Sequence, residues 1–329
     1  MGGFTGHGGR LEAARRAWPE APAPWIDLST GINPAPYPAP RASRAARGRL
    51  PFPEETAALE AVAARAFGVD PAIVVATPGA ETALRALPRL IGADVAHVVG
   101  PTYASHADGW ARAGARLADH ADEARAVAVV SPNNPDGRVW ATHDLLALAD
   151  ALQARDGWLV VDESFGDALP GPSIAAAGHP RIVALRSFGK FYGLAGLRLG
   201  FVLGPAQITG RLRGDQGDWP VSADAIAAGL AAYADEPWRE RTRRRLAAQS
   251  GRLDRLLAAA GLAAVGGTSL FRLVETGDAQ GWFDRLAGAG VLVRPFDYAP
   301  RWLRIGLPRR QDFGRVAAAL GVAALGVAA

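Results

Sequence analysis

Arg186-Ser187-Phe188-Gly189-Lys190-Phe191-Tyr192-Gly193-Leu194-Ala195-Gly196-Leu197-Arg198-Leu199-Gly200 is the stretch on which the reading of this chain turns. It follows a short apolar run, Ile182–Leu185, and leads into another, Gly200–Leu203. Runs of this length, apolar almost throughout, suit strands buried on both faces. Ser187 precedes Lys190 by three residues and Arg198 follows it by eight. A hydroxyl and a guanidinium can together hold a phosphate, the guanidinium bidentately. The lysine amine then reaches an aldehyde on the same ligand.

Composition singles out the same residue. Of 36 Lys+Arg residues, 35 are arginine, and Lys190 is the only lysine. Arginine replaces lysine wherever positive charge alone matters, but its guanidinium stays protonated and cannot act as an amine nucleophile. With no cysteine in the chain, disulfides and thiolate metal sites are excluded. No metal-ligand spacing occurs, and His97, His106, His120, His143 and His179 read as structural or surface residues. No apolar run is long enough for a membrane span, and no signal-peptide pattern opens the chain, so a soluble cytoplasmic protein is expected. The net charge of +4 is spread without a basic, aromatic-interleaved run. The Arg239–Arg245 cluster reads as a solvated helix face, and no nucleic-acid partner is expected.

Working outward, apolar runs at Ile73–Thr77, Val95–Val99, Ala126–Val130 and Trp158–Val161 alternate with helical patterns. One of these is Glu54–Phe67; another is Thr142–Arg155, with Thr142 as a plausible cap. This is the α/β pattern of a mostly parallel, doubly covered sheet. A large domain over 46–222 is expected. Residues 1–45, rich in Pro and Gly, read as an extended arm, and 223–329 as a smaller α+β domain with which the arm packs. In the latter, a long helix over Pro237–Ala260 precedes strands at Leu270–Val274, Val291–Arg294 and Trp302–Gly306. An Ala-rich final helix begins near Gln311 and continues into an Ala/Gly/Val-rich end that reads as core-facing.

Four further features precede the lysine block in the order a phosphorylated aromatic ligand requires. Thr77-Pro78-Gly79-Ala80-Glu81-Thr82 closes a strand and opens a helix, whose free N–H groups suit a phosphate. Pro101-Thr102-Tyr103 offers an aromatic face for stacking. Asn134, in Ser131-Pro132-Asn133-Asn134-Pro135-Asp136-Gly137, stands at a strand's C-terminal end, the edge where ligands bind in open α/β sheets. Asp162 ends the buried run Trp158–Val161 and calls for a cationic partner such as a protonated pyridine nitrogen. Taken singly, each is also an ordinary turn, core aromatic or helix cap. Their joint order is what carries the reading.

The block Ser187-x-x-Lys190 with Gly196-x-Arg198-x-Gly200, downstream of Asn134-Pro135 and Asp162, resembles the fold-type I pyridoxal-5'-phosphate (PLP) enzymes of the aspartate aminotransferase superfamily. The resemblance implies that fold, PLP as cofactor, and a homodimer. It implies Lys190 as the Schiff-base lysine, Asp162 on the pyridinium, Asn134 on the ring O3' and Tyr103 stacked on the ring. Gly79, Ala80, Glu81 and Thr82, with Ser187 and Arg198, would form the phosphate cup. Within the superfamily, two families are similar: the histidinol-phosphate aminotransferases and the L-threonine-O-3-phosphate decarboxylases. His7-Gly8-Gly9 with Leu11-Glu12-Ala13-Ala14, and Asp27-Leu28-Ser29-Thr30-Gly31-Ile32-Asn33-Pro34, resemble the opening of the decarboxylases. Phe165 stands where transaminases carry a tyrosine, and Phe52 where histidinol-phosphate aminotransferases carry another.

The implied activity is decarboxylation of a small phosphorylated amino acid, L-threonine O-3-phosphate, to (R)-1-aminopropan-2-yl phosphate for cobalamin biosynthesis. Arg304 resembles the superfamily's carboxylate-binding arginine and Arg294 a phosphate-binding position of the decarboxylases, with Asn134, His7 and Gly8 as further substrate donors. The alternatives are a histidinol-phosphate-type aminotransferase and a non-enzymatic regulator. The latter predicts an appended DNA-binding domain, and residues 1–45 carry no helix-turn-helix pattern.

Overall fold

The structure, a computed structural model, describes residues 3–323. The end of the Ala/Gly/Val-rich segment, residues 324–329, lies outside the described residues. By contacts the chain forms two compact units. The larger comprises 36–134 and 138–239, the smaller 1–35, 135–137 and 240–329.

The larger unit is built on seven strands: β1 Val74–Thr77, β2 Val95–Val98, β3 Arg116–Leu117, β4 Ala126–Val130, β5 Trp158–Asp162, β6 Ile182–Ser187 and β7 Gly200–Leu203. They lie in the order β1-β7-β6-β5-β4-β2-β3. β7 runs antiparallel to both neighbours and every other pairing is parallel. Every residue of β4 and β5 is buried, as expected of strands covered on both faces. The covering helices are α1 Pro53–Phe67, α2 Ala80–Ile91, α3 Ser105–Arg112, α4 Thr142–Gln153, α5 Ala206–Gln216 and α6 Ala223–Ala234.

Local sequence explains the limits of these helices. α1 starts with proline at its first position, followed by two glutamates, and stops at Gly68 in the left-handed conformation. α4 is capped by Ala141, not Thr142; Thr142 is its first helical residue and no side chain caps it. α6 belongs to the larger unit because it packs on α1. The unit therefore extends beyond residue 222 and begins before 46.

The smaller unit holds β8 Ala264–Thr268, β9 Phe271–Glu275, β10 Arg294–Pro295 and β11 Trp302–Gly306, in the antiparallel order β10-β11-β9-β8. The run Val291–Arg294 serves two sheets. Val291 and Leu292 pair in parallel with Ile26 and Asp27 of the N-terminal segment, and Arg294 turns into β10. This pairing ties the N-terminal segment to the unit, and Leu11–Ala17 within that segment is helical. α7, Glu236–Ala259, starts in the larger unit and continues in the smaller; α8, Ala279–Gly288, and α9, Phe313–Leu320, follow. The arginine cluster on α7 is only partly a solvated face. Arg239 is buried, and Arg245 reaches the Asn33 side chain at 3.1 Å and the Ala35 carbonyl. No helix among the described residues is long and apolar enough to cross a membrane.

Candidate active site

Parallel strands deliver their C-terminal ends to one edge of the sheet, where an open α/β sheet binds ligands. Here β4 delivers Asn134, β5 Asp162 and β6 Ser187, while β1 leads into α2. β7 runs the other way and begins at this edge. Its first residue, Gly200, is the register partner of both Thr77 and Ser187. A methyl on Gly200 would lie 2.4 Å from the Ala80 nitrogen, so only glycine lets α2 start against β7.

Gly79, just before α2, has φ +94°, and a methyl there would lie 2.6 Å from Arg198 Nη2. The guanidinium and the first turn of α2 thus form one cradle of donors, suited to an anion. Arg198 itself adopts the left-handed conformation, φ 54°, and its Nη1 donates to the Ala195 carbonyl at 3.1 Å. The Thr82 hydroxyl does not join the cradle; it donates to the Pro78 carbonyl at 3.1 Å, one helical turn back.

Asp162 is buried, lines the cavity, and has one partner on each carboxylate oxygen. Oδ2 lies 2.9 Å from His106 Nε2, and Oδ1 accepts from the Ser164 amide at 2.8 Å. Burial alone would raise this carboxyl. The His106 hydrogen bond and charge, with Ser164, outweigh it and hold Asp162 below the usual carboxylate range. His106, with no partner at a recognisable spacing in the sequence, is nearly fully buried directly on Asp162. In the chain His106 follows Tyr103 by three residues. The turn entering α3 puts the two rings 6.4 Å apart and edge to face. His97 bonds the Ala118 carbonyl, and His179 bonds Asp150 and accepts from the Arg181 amide, both away from this cavity.

The two asparagines divide the labour. Asn133 accepts from the Thr102 hydroxyl at 2.6 Å and donates to the Pro101 carbonyl at 3.0 Å, tying two loops together. Asn134 faces the cavity. Lys190 sits in the short helix Phe188–Phe191, whose Phe188 and Phe191 are completely buried with Tyr192. That anchoring leaves Gly189 and Lys190 on the cavity wall, with Nζ 5.6 Å from the Phe165 ring.

The cavity so formed has a volume of about 260 Å³, close to the low end of small-molecule sites. Gly79, Ala80 and Glu81 line one end with Ser187 and Arg198. Tyr103, Asn134, Asp162, Phe165 and Lys190 line the remainder. Of the residues expected there, Thr82 alone points elsewhere. Phe52 is an exposed residue before α1, its amide held by Glu55 at 2.8 Å.

His7, Gly8, Arg294 and Arg304 belong to the smaller unit. Arg294 and Arg304 are cross-strand partners on β10 and β11, and both are buried. Like charges directly opposite one another are unfavourable in a sheet. Backbone carbonyls of the N-terminal segment offset this: Gly6 accepts from Arg294 Nη2 at 2.9 Å and Ser29 from Arg304 Nη2 at 2.6 Å. Gly8 packs so tightly on Ser29 that a methyl would lie 2.3 Å from its carbonyl oxygen. His7 is exposed.

Residues 24–320 match the aminotransferase class I and II family, and the chain belongs to it. Within that class it is most informatively compared with two curated relatives. It is 40% identical to a threonine-phosphate decarboxylase of Pseudomonas aeruginosa over 92% of each chain, and 40% identical to one from a Sinorhizobium species over the same shares. Among solved structures it resembles histidinol-phosphate aminotransferase from Sinorhizobium meliloti in complex with pyridoxal-5'-phosphate, with TM-score 0.82, 23% identity, and 94% and 93% of the two chains covered. It also resembles L-threonine-O-3-phosphate decarboxylase from Porphyromonas gingivalis, with TM-score 0.72, 18% identity, and 89% and 98% covered. The residues present fit PLP. The Gly79–Arg198 cradle suits its phosphate, the buried Asp162 carboxylate its ring nitrogen, and the lone lysine its aldehyde.

Proposed function

We propose that this chain is a PLP-dependent carboxy-lyase that converts L-threonine O-3-phosphate into (R)-1-aminopropan-2-yl phosphate for cobalamin biosynthesis, acting as a cytoplasmic homodimer. The observation that carries the reading is the cavity itself. A single lysine, a buried carboxylate and an anion cradle converge on it, in a chain 40% identical to threonine-phosphate decarboxylases over 92% of its length.

When bound, PLP supplies the electron sink for the bond that breaks at the substrate's Cα. The protein's residues do the rest. Lys190 would hold the cofactor through its amine, and the same amine would be the group that returns a proton to Cα. Asp162, its carboxyl held low by His106 and Ser164, would keep a proton on the ring nitrogen. Asn134 would donate to the ring oxygen, and Tyr103 would stack on the ring; both line the cavity. Gly79, Ala80 and Glu81, with Ser187 and Arg198, hold the cofactor phosphate. Phe165 offers no hydroxyl to the ring oxygen where transaminases carry a tyrosine. Arg304 binds the substrate carboxylate and Arg294 its phosphate, with His7 and Gly8 as further donors. Orienting the carboxylate, and not the Cα hydrogen, for cleavage is what separates a decarboxylase from a transaminase.

The test is incubation of the holoenzyme with phosphothreonine while CO₂ and 2-oxo acids are measured. CO₂ release without added 2-oxoglutarate supports the proposal. Turnover that requires 2-oxoglutarate and yields an oxo acid supports an aminotransferase instead.

A further inference from the structure

On the side of β6 turned away from the cavity lies a second charged cluster. Successive strand residues point to opposite faces. Ser187 faces the cavity, and Arg186, immediately before it, is buried on the other side at 4% exposure. Its Nη1 donates to Glu163 Oε2 at 3.2 Å and its Nη2 to Asp167 Oδ1. Both carboxylates are buried too. Glu163 further accepts from the Ser173 hydroxyl at 2.5 Å and the Ile174 amide at 2.8 Å. The guanidinium stacks on the Phe67 ring, with Cζ 4.6 Å from its centroid. Burial alone would depress the Arg186 guanidinium, but Asp167 and Glu163 overcome that and hold it firmly charged.

The two carboxylates bracket a five-residue segment that immediately follows Asp162. Between them lie Ser164, whose amide holds Asp162, and Phe165, whose ring walls the cavity beside Lys190. Next comes Gly166, where a methyl would stand 2.6 Å from Arg186 Nη1. The segment is therefore folded around the guanidinium, and that guanidinium hangs from the strand that ends in Ser187 and leads to Lys190.

We propose that Arg186 is a positioning residue: its fork, closed on Glu163 and Asp167, fixes Asp162 and Phe165 relative to the strand end that carries Ser187 and Lys190. This rests on the reading of the cavity as a PLP site. The chemistry requires a fork and not merely a charge, because two carboxylates four residues apart are held by two different nitrogens of one rigid plane.

The test uses two variants of the holoenzyme, R186K and the triple variant R186M/E163Q/D167N. The first keeps the charge and loses the fork. The second removes all three charges together, so that no carboxylate is left buried without its partner. Thermal melting, visible circular dichroism of bound PLP, and kcat and KM for CO₂ release are measured on each. The expected result is a folded protein whose PLP dichroism changes and whose kcat falls about 100-fold at nearly constant KM, the scale of a small misplacement of reacting groups. Parental dichroism and kcat in either folded variant overturn the proposal. So does failure of both to fold at 25 °C, which makes the cluster a stability element only. If the parent releases no CO₂ from phosphothreonine, the substrate assignment fails while the dichroism still decides the positioning claim.

Discussion

Replacing His106 with leucine tests the electrostatic frame of the cavity. The His106–Asp162 pair is 2.9 Å apart, with side chains 2% and 6% exposed. Removing one member of a buried pair leaves the other desolvated, at a cost of about 3–5 kcal/mol. Asp162 keeps the Ser164 amide, so the lower end applies, about 3 kcal/mol. At about 2.1 cal/mol/K of unfolding entropy per residue, that corresponds for 329 residues to a fall in melting temperature of roughly 4 °C. The pH dependence has a definite sign. Asp162 titrates below its ordinary value in the folded parent, so its stabilisation is present above about pH 4 and is lost as pH falls through the folded value. In H106L burial is opposed less strongly and the carboxyl rises. The difference between parent and variant is therefore largest at neutral pH and shrinks as pH falls towards 4. Melting of the cofactor-free protein across pH 4–7 measures it. Equal melting temperatures at pH 7, or a difference that does not vary with pH, would refute the reasoning.

Further expectations follow from the same geometry. Lys190→Ala should remove the near-400 nm absorption of the bound cofactor and lower CO₂ release by about 1,000-fold or more, read by spectrophotometry and a CO₂ assay. Gly79→Ala forces a side chain into a backbone region costing about 1–3 kcal/mol and onto Arg198, so fluorescence titration should show PLP binding weakened about tenfold or more. Arg294→Leu should raise KM for phosphothreonine by roughly 10- to 100-fold, since a charged hydrogen bond is worth about 1.5–3 kcal/mol, while inhibition by unphosphorylated threonine stays unchanged. Steady-state kinetics check this, and an equal loss for both ligands would contradict the assignment.

The central sheet was legible because its strands are covered on both faces and therefore nearly uniformly apolar: β4 and β5 carry no surface signal to blur them. β3 was not, since both of its residues are exposed and no apolar run marks it. β8, with two glycines and an exposed Val265, hides for the same reason. Lys190 stood out through chemistry, because guanidinium cannot substitute for an amine. His106 did not, because its meaning depends on Asp162, 56 residues away, and only the folded sheet brings them together. Thr82 shows why a motif does not fix a side chain's direction: a hydroxyl in the first turn of a helix can as easily bond the carbonyl four residues back. The Arg186 cluster was opaque for a related reason. In a chain where arginine is used throughout, a buried fork and a surface charge look alike until the partners are known.

The most direct measurement of the central claim is turnover of phosphothreonine in D₂O, with the product's C1 examined by NMR. Decarboxylation at this cavity predicts an aminopropyl phosphate that retains the substrate's own Cα hydrogen and gains a single deuterium in place of the carboxylate. Loss of that original hydrogen, with the carboxylate still attached, would contradict it.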